Sequence, residues 1–165
     1  KRLINKMKKF PITTLGYEAI KAELIILKEK RSQVSKAIGE AREHGDLKEN
    51  AEYHAAKDEQ RLNEERIANL ETQIALAEVI DISKLKDTGQ VIFGCTVGLI
   101  DLDTEESFEF QIVGEYEANV SKGKLSIASP IARALLRKEV GETVLVETPK
   151  GQIEYEITNI SLIAN

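Results

Sequence analysis

The feature that most constrains the fold is a pattern of apolar residues that is symmetric about Leu47. On both sides of Leu47 these residues recur at alternating steps of three and four, which is typical of the a and d positions of a coiled coil. They are Tyr17, Ile20, Leu24, Leu27, Val34, Ile38 and Ala41 on one side, and Tyr53, Ala56, Ile67, Leu70, Ile74 and Ala77 on the other. The symmetry predicts an antiparallel hairpin of two helices in which residues equidistant from Leu47 face each other.

Polar residues interrupt the two arms of this hairpin at matching places. Arg31 occupies one interface position of the first helix, and Gln60 and Asn63 occupy two interface positions of the second. The pattern therefore pairs Arg31 with Asn63. Each arm holds about 30 residues, so at about 1.5 Å per residue the hairpin is about 45 Å long. Its tip, near residues 43–50, carries charged side chains and almost no apolar surface.

The helix ends are predicted from capping residues. We expect the first helix to be capped by Thr14 and to run to about His44, because Gly45 suits the left-handed residue after a helix. The second helix is predicted to start at Asp46 or just after it and to run to about Val79.

Beyond residue 80 the pattern changes to short apolar, β-branched segments separated by turn residues. They span 91–102, 108–113, 125–128, 144–148 and 153–163. One short helix is predicted at 131–138, with Ser129 as its cap and Pro130 at its first position. The sequence thus predicts an α+β protein with three parts: a coiled-coil hairpin at 7–80, a linker at 81–89, and a small antiparallel-sheet domain at 90–165.

Charge and composition exclude several classes of function. The formal net charge is −5, with 15 basic and 14 acidic side chains in residues 1–80 against 8 and 14 in residues 81–165, which argues against general nucleic-acid binding. The single cysteine, Cys95, excludes an internal disulfide and is expected to be buried and inert. No apolar segment approaches the roughly 18 residues of a membrane span. We expect a cytoplasmic monomer that has no membrane contact. It would start naturally at Met7, so residues 1–6 would be a leader or an added segment.

Asp46 and Glu49 are the candidate functional residues, and two interpretations of them stay open. Asp-x-x-Glu at a helix start is the pattern of a capping box. The same two carboxylates lie at the far end of a long hairpin among basic residues, where the helix dipole favours the ionised form that a metal ion requires. These basic residues are Arg42, Lys48, Lys57 and Arg61.

The chain by itself lacks a complete active site at this tip. His44 and His54 match no standard spacing of metal ligands. Two exposed carboxylates form at best a weak magnesium site, because Mg²⁺ keeps its waters unless more oxygen ligands are supplied. If the tip takes part in chemistry, it must complete the active site of another protein.

Two sequence motifs resemble those of a known family. The segment AREHGDLKENAEYHAA at 41–56 and the segment SIASPIARALL at 126–136 are similar to the signatures of the bacterial GreA/GreB transcript cleavage factors. The resemblance extends from about Met7 to the end of the chain, and its acidic balance is closer to the GreA branch than to the more basic GreB branch. It implies an N-terminal coiled coil and a C-terminal domain of FKBP-like topology.

The resemblance also implies a function. Such a factor inserts its coiled coil into the secondary channel of RNA polymerase and stimulates the polymerase itself to cleave backtracked RNA, so the factor is not an enzyme. Asp46 and Glu49 match the acidic residues that steady the second Mg²⁺ ion and the attacking water, an ion shared with the polymerase rather than a cofactor of this chain. The 3′ end of the RNA would contact the basic residues of the tip, which are Arg42, Lys48, Lys57 and Arg61. Ser129 and Pro130 are the candidate contact with the polymerase rim.

Two other functions are considered beside this one. An FKBP-like fold is compatible with prolyl isomerase activity, but the domain offers few large aromatic residues for a pocket, and Phe108 and Phe110 on one strand face suit an ordinary core. A non-catalytic coiled-coil adaptor is the second alternative, and it predicts that charge changes at the tip have no effect. Tyr53 has two interpretations, the last layer of the hairpin interface or an RNA-stacking residue, and its heptad position favours the first.

Overall fold

The computed structural model describes residues 8–43 and 50–162. Asp46, Lys48 and Glu49 lie outside these described residues. The protein is α+β, as predicted, with a helical hairpin and a small sheet domain. The described residues divide into two compact units, one containing Lys8 and residues 17–43 and 50–77, and the other containing residues 9–16 and 78–162.

The helical hairpin consists of α1, Thr14–Arg42, and α2, Ala51–Leu76. The predicted apolar interface residues are buried or partly buried. Those of the predicted positions that are almost fully buried are Ile20, Val34, Ile38, Ala41, Ala56, Asn63, Ile67 and Leu70. Val34, Ile38 and Ala56 form one cluster, and Tyr53 packs against it. Ile38 and Ala56 are equidistant from Leu47, so their shared cluster agrees with the predicted antiparallel hairpin.

The polar residues of the interface do not pair as predicted. The Arg31 guanidinium reaches out of the interface and donates two hydrogen bonds to Glu64, from Nε to Oε1 at 2.6 Å and from Nη2 to Oε2 at 2.8 Å. Asn63 stays buried and donates from Nδ2 to the carbonyl of Leu27 at 3.1 Å. The long arginine side chain can find a carboxylate at the surface, whereas the short amide must be satisfied inside.

Salt bridges line both sides of the hairpin. Arg66 Nε lies 2.9 Å from Glu23 Oε1, Lys30 from Glu59 at 3.0 Å, and Lys28 from Glu71 at 3.3 Å. All of these side chains are exposed, so their contribution to stability is small. Because each pair joins α1 to α2, the pairs instead favour one alignment of the helices over its alternatives.

Both helix starts differ from the prediction. The Thr13 hydroxyl, rather than that of Thr14, accepts the hydrogen bond from Gly16 N at 3.1 Å at the start of α1. The cap of α2 is Asn50, whose Oδ1 accepts from Tyr53 N at 3.1 Å. The predicted start of α2 at or just after Asp46 is therefore wrong, since the helix begins at Ala51, and the capping-box interpretation of Asp46 does not apply to α2.

The end of α2 also differs, since the helix stops at Leu76 and a strand, β2 Ala77–Ile80, follows it. This strand pairs with β1, Phe10–Thr13. The sequence predicted helix to about Val79. The β-branched residues Val79 and Ile80 fit an extended backbone better than a helix, and pairing with β1 decides between the two.

Residues 9–16, which the sequence placed within the hairpin segment, belong to the sheet domain. Ile12 is fully buried. The amides of Thr13 and Gly114 each donate to Glu117 Oε1 at 2.8 Å. A side chain at Gly114 would lie 2.3 Å from the carbonyl of Pro11, so only glycine permits this approach.

The sheet domain contains five strands in the order β5-β4-β3-β7-β6. They are β3 Thr96–Asp101, β4 Ser107–Val113, β5 Lys124–Ser126, β6 Thr143–Thr148 and β7 Gly151–Ser161. Three of the four neighbouring pairs are antiparallel, but β5 runs parallel to β4. The predicted antiparallel-sheet domain thus has one parallel pair at this edge, because the segment between β4 and β5 crosses over instead of forming a hairpin.

The third helix, α3 Pro130–Leu135, covers the inner face of this sheet. Ala132 and Leu135 are fully buried in one core with Val97, Leu99, Ile112 and Ile157, among others. The predicted cap and first residue of this helix, Ser129 and Pro130, are confirmed. The helix ends at Leu135 rather than at Lys138, and Arg137 beyond it has a left-handed backbone with φ of 69°.

Candidate functional site

The candidate site is the hairpin end, where α1 stops at Arg42 and α2 starts at Ala51. The side chain of Asn50 bridges the two helices there. Its Nδ2 donates to the carbonyl of Ala41 at 2.5 Å, and its Oδ1 accepts from Tyr53 N at 3.1 Å. One carboxamide therefore satisfies a carbonyl at the end of α1 and an amide at the start of α2, both of which lack partners within their own helices.

The basic residues of the hairpin end that the structure describes are Arg42, Lys57 and Arg61, and all three are exposed. The Arg42 guanidinium lies 5.8 Å from the centre of the Tyr53 ring, within the range of a cation–π contact. Lys57 Nζ lies 3.3 Å from Gln60 Oε1, and Arg61 Nη1 lies 3.0 Å from Glu65 Oε1. Glu65 offsets the charge of Arg61, so among these three described residues Arg42 and Lys57 offer the positive charge that is more available to an anion.

The predicted metal-holding residues, Asp46 and Glu49, lie outside the described residues, as do Lys48 and His44. Within residues 8–43 and 50–162, no group of three or more His, Cys, Asp or Glu side chains could hold a metal ion. The ring of His54 contacts that of Tyr53 edge to face at 5.7 Å. Asp46 and Glu49 therefore remain a prediction from the sequence.

Tyr53 lies half-buried against the cluster of Val34, Ile38 and Ala56. This placement favours its interpretation as the last layer of the hairpin interface. One face of its ring is also covered by Arg42 of the same chain. The contact links a basic candidate residue to the end of the apolar interface.

The second candidate surface, Ser129 and Pro130, lies at the start of α3. The Ser129 hydroxyl donates to the carbonyl of Ser126 at 2.6 Å and accepts from Ala132 N at 3.3 Å. Its hydrogen-bonding capacity is thus used within the chain, and the exposed ring of Pro130 is the more accessible part of this pair. A contact with a partner at this turn stays a prediction.

The aromatic residues of the sheet domain pack against each other. Phe108 and Phe110 stack with their ring centres 5.9 Å apart, and Tyr155 meets Phe108 edge to face at 6.2 Å. All three contact or belong to the core of the domain. This packing is what an ordinary core requires, and it leaves these rings engaged with each other rather than arranged around a ligand.

Cys95 is fully buried in the same core, and burial raises the pKa of its thiol. A raised pKa keeps the thiol protonated, so the prediction of an inert cysteine agrees with its environment. None of the helices in the described part of the chain is long and apolar enough to cross a membrane.

Sequence reasoning missed two residues with structural importance at these places, Asn50 and Glu117. Asparagine is among the best helix caps, so Asn50 could have been recognised as a rival to Asp46 from the position of the helix pattern alone. No sequence signal marks Glu117, because its partners Thr13 and Gly114 come together only in the folded domain.

Comparison with known families gives a match over nearly the whole chain. The family described as "Transcription elongation factor, N-terminal" matches residues 10–79, and the family described as "Transcription elongation factor, GreA/GreB, C-term" matches residues 86–162. The two matches correspond to the hairpin and the sheet domain in the expected order. The chain belongs to the GreA/GreB family of transcription elongation factors.

Individual relatives point to one branch of this family. Transcription elongation factor GreA of Beijerinckia indica is 54% identical over 156 residues, which cover 94% of this chain and 99% of the relative. The GreA of Francisella philomiragia is 50% identical over 151 residues, covering 91% and 94%. Among solved structures, GreA factor homolog 1 of Thermus thermophilus is 32% identical with a TM-score of 0.43, and the alignment covers 93% of this chain and 99% of that one.

Proposed function

We propose that this protein inserts the end of its helical hairpin into the secondary channel of RNA polymerase and stimulates the polymerase's own cleavage of backtracked RNA. The observation that supports the proposal is that α1 ends at Arg42 and α2 begins at Ala51 in a member of this family. Asp46 and Glu49 come between these two residues in the sequence. With 29 residues, α1 is about 44 Å long, as a hairpin that reaches into a channel requires.

The chemistry explains why carboxylates are required at this end. Hydrolysis of a phosphodiester bond by two metal ions needs one ion at the leaving oxygen and a second at the attacking water. In this proposal the polymerase holds the first Mg²⁺, and Asp46 and Glu49 complete the ligands of the second. The protein then has no cofactor of its own, and its active site exists only in the complex.

The basic residues act on the RNA rather than on the metal. Arg42 and Lys57 are exposed and supply positive charge that the backbone of an extruded 3′ RNA end would meet, with Lys48 and Arg61 as further candidates. The ring of Tyr53 packs against the guanidinium of Arg42. The sheet domain attaches to the polymerase rim through the Ser129–Pro130 turn, and the factor acts as a monomer in the cytoplasm, where the polymerase works.

The decisive experiment mixes the intact protein with a backtracked bacterial elongation complex and Mg²⁺ and follows the shortening of the RNA. Asp46→Asn and Glu49→Gln should each lower the cleavage rate by about 100-fold or more, the size expected when a group that acts in the transition state is lost. Binding to the polymerase should stay nearly unchanged. Glu52→Gln is the matched control, because Glu52 is an exposed carboxylate in the first turn of α2.

The outcomes separate the proposal from its alternatives. Normal cleavage by the Asp46 and Glu49 variants would remove the metal-holding role. A wild-type protein that binds the polymerase without shortening the RNA would instead favour the coiled-coil adaptor. Acceleration of proline isomerisation in a peptide assay would revive the isomerase alternative.

A further inference from the structure

The side chain of Asn50 makes an unusual pair of contacts for a helix cap. A cap needs only an acceptor, and aspartate, serine and threonine supply one equally well. Asn50 also uses its amide nitrogen, which donates to the carbonyl of Ala41 on the other helix. Among the common capping residues, only asparagine carries both an acceptor and an amide donor on one short, planar group.

The partners of Asn50 are themselves held firmly. Ala41 is only 3% exposed, and Tyr53 is packed against the buried cluster of the hairpin interface. The two helix ends are also joined by the contact of Arg42 with the Tyr53 ring. Asn50 thus connects two residues, Ala41 and Tyr53, whose positions are already held by packing in the hairpin.

We propose that Asn50 is a positioning residue for the cleavage function: its carboxamide fixes the distance and orientation between the end of α1 and the start of α2. This proposal rests on the proposed function, because Asp46 and Glu49 lie in the sequence between these two ends. The reach of both carboxylates depends on where the chain leaves α1 and enters α2. Displacements of about 1 Å at reacting groups lower rates by up to about 100-fold, so a modest change here has a measurable effect.

Two substitutions separate the capping hydrogen bond, which Asn50 accepts from Tyr53 N, from the hydrogen bond that Asn50 donates to Ala41 on the other helix. Asn50→Asp keeps an acceptor for Tyr53 N but removes the donor to Ala41, and it places a negative charge beside the carbonyl end of α1, which the helix dipole disfavours. Asn50→Ala removes both contacts. Hydrogen exchange at the Tyr53 amide should stay slow in Asn50→Asp and become fast in Asn50→Ala.

The chain offers a matched control in Asn63. Its Nδ2 donates to the carbonyl of Leu27, so it also bridges the two helices, but in the middle of the hairpin. Asn63 is buried, so Asn63→Asp should destabilise the hairpin more than Asn50→Asp does. A change in cleavage that arises only from weaker helix association would therefore be larger in the Asn63 variant.

The test measures cleavage of backtracked RNA by the intact protein over a range of factor and Mg²⁺ concentrations. Circular dichroism first establishes a temperature at which every variant is fully helical. Asn50→Asp should lower the maximal cleavage rate by about tenfold, within the range for misplaced groups. The factor concentration at half-maximal effect should stay unchanged, and higher Mg²⁺ should restore part of the rate. Asn63→Asp should cleave at nearly the wild-type rate.

Different failures have different meanings. If the wild-type protein cleaves and Asn50→Asp cleaves equally fast, the positioning role is wrong while the proposed function stands. Equal losses in the Asn50 and Asn63 variants would also overturn it, since general weakening of the hairpin would then explain both. If the wild-type protein itself stimulates no cleavage, the proposed function fails and the positioning role fails with it.

Discussion

The hairpin interface can be tested with two leucines of the same helix that differ in burial. Leu70 is fully buried and occupies a predicted interface position of α2, whereas Leu62 is 56% exposed. Leu70→Ala removes a buried side chain and leaves a cavity, which costs about 2–5 kcal/mol of unfolding free energy. Leu62→Ala should change the unfolding free energy by no more than about 0.5 kcal/mol, because it removes little buried surface.

Thermal unfolding followed by the helical signal in circular dichroism measures this difference. For a unit of this size, about 1 kcal/mol shifts the midpoint by about 4–8 °C, so Leu70→Ala should melt at least about 8 °C below wild type. Leu62→Ala should melt within a few degrees of it. Equal shifts in the two variants would show that the interface does not run along the predicted a and d positions and would refute the predicted register of the hairpin.

Three further predictions concern charge, reactivity and pH. Charge reversal at Arg42 or Lys57 should weaken cross-linking between the RNA 3′ end and the hairpin, and unchanged cross-linking would remove these residues from the mechanism. Cys95 should react with a thiol reagent at about pH 8 only after denaturation, because it is buried and burial raises the pKa of its thiol. Rapid labelling of the native protein would contradict this prediction. The Arg31 guanidinium lowers the pKa of the Glu64 carboxyl, so the stabilisation by this pair is present at neutral pH and is lost as the pH falls through the folded-state pKa. Glu64→Gln should therefore reduce the loss of hairpin stability between about pH 7 and about pH 3, and an unchanged pH profile would show that the pair contributes nothing.

The sequence predicted the hairpin well because its information is local and repetitive. Each turn of α1 and α2 places an apolar residue on the same face, so the pattern shows both the helices and their register without knowledge of other contacts. The start of α3 was predicted for the same kind of reason, since Ser129 and Pro130 act within a single helical turn. The residues of the tip, in contrast, left two interpretations of Asp46 and Glu49 open, and the proposed role of the tip in RNA cleavage depends on the resemblance of two motifs to a family.

The tertiary structure decided the features that depend on residues distant in sequence. Pairing with β1 turned the end of the second helix into β2, and a crossover placed β5 parallel to β4, although nothing in these short segments specifies a partner. The Glu117 carboxylate accepts hydrogen bonds from the amides of Thr13 and Gly114 only after the domain has folded. Asn50 shows the limit most clearly. Its capacity to cap a helix follows from its residue type. Its hydrogen bond to the carbonyl of Ala41, however, forms only because the apolar interface brings the two helix ends together.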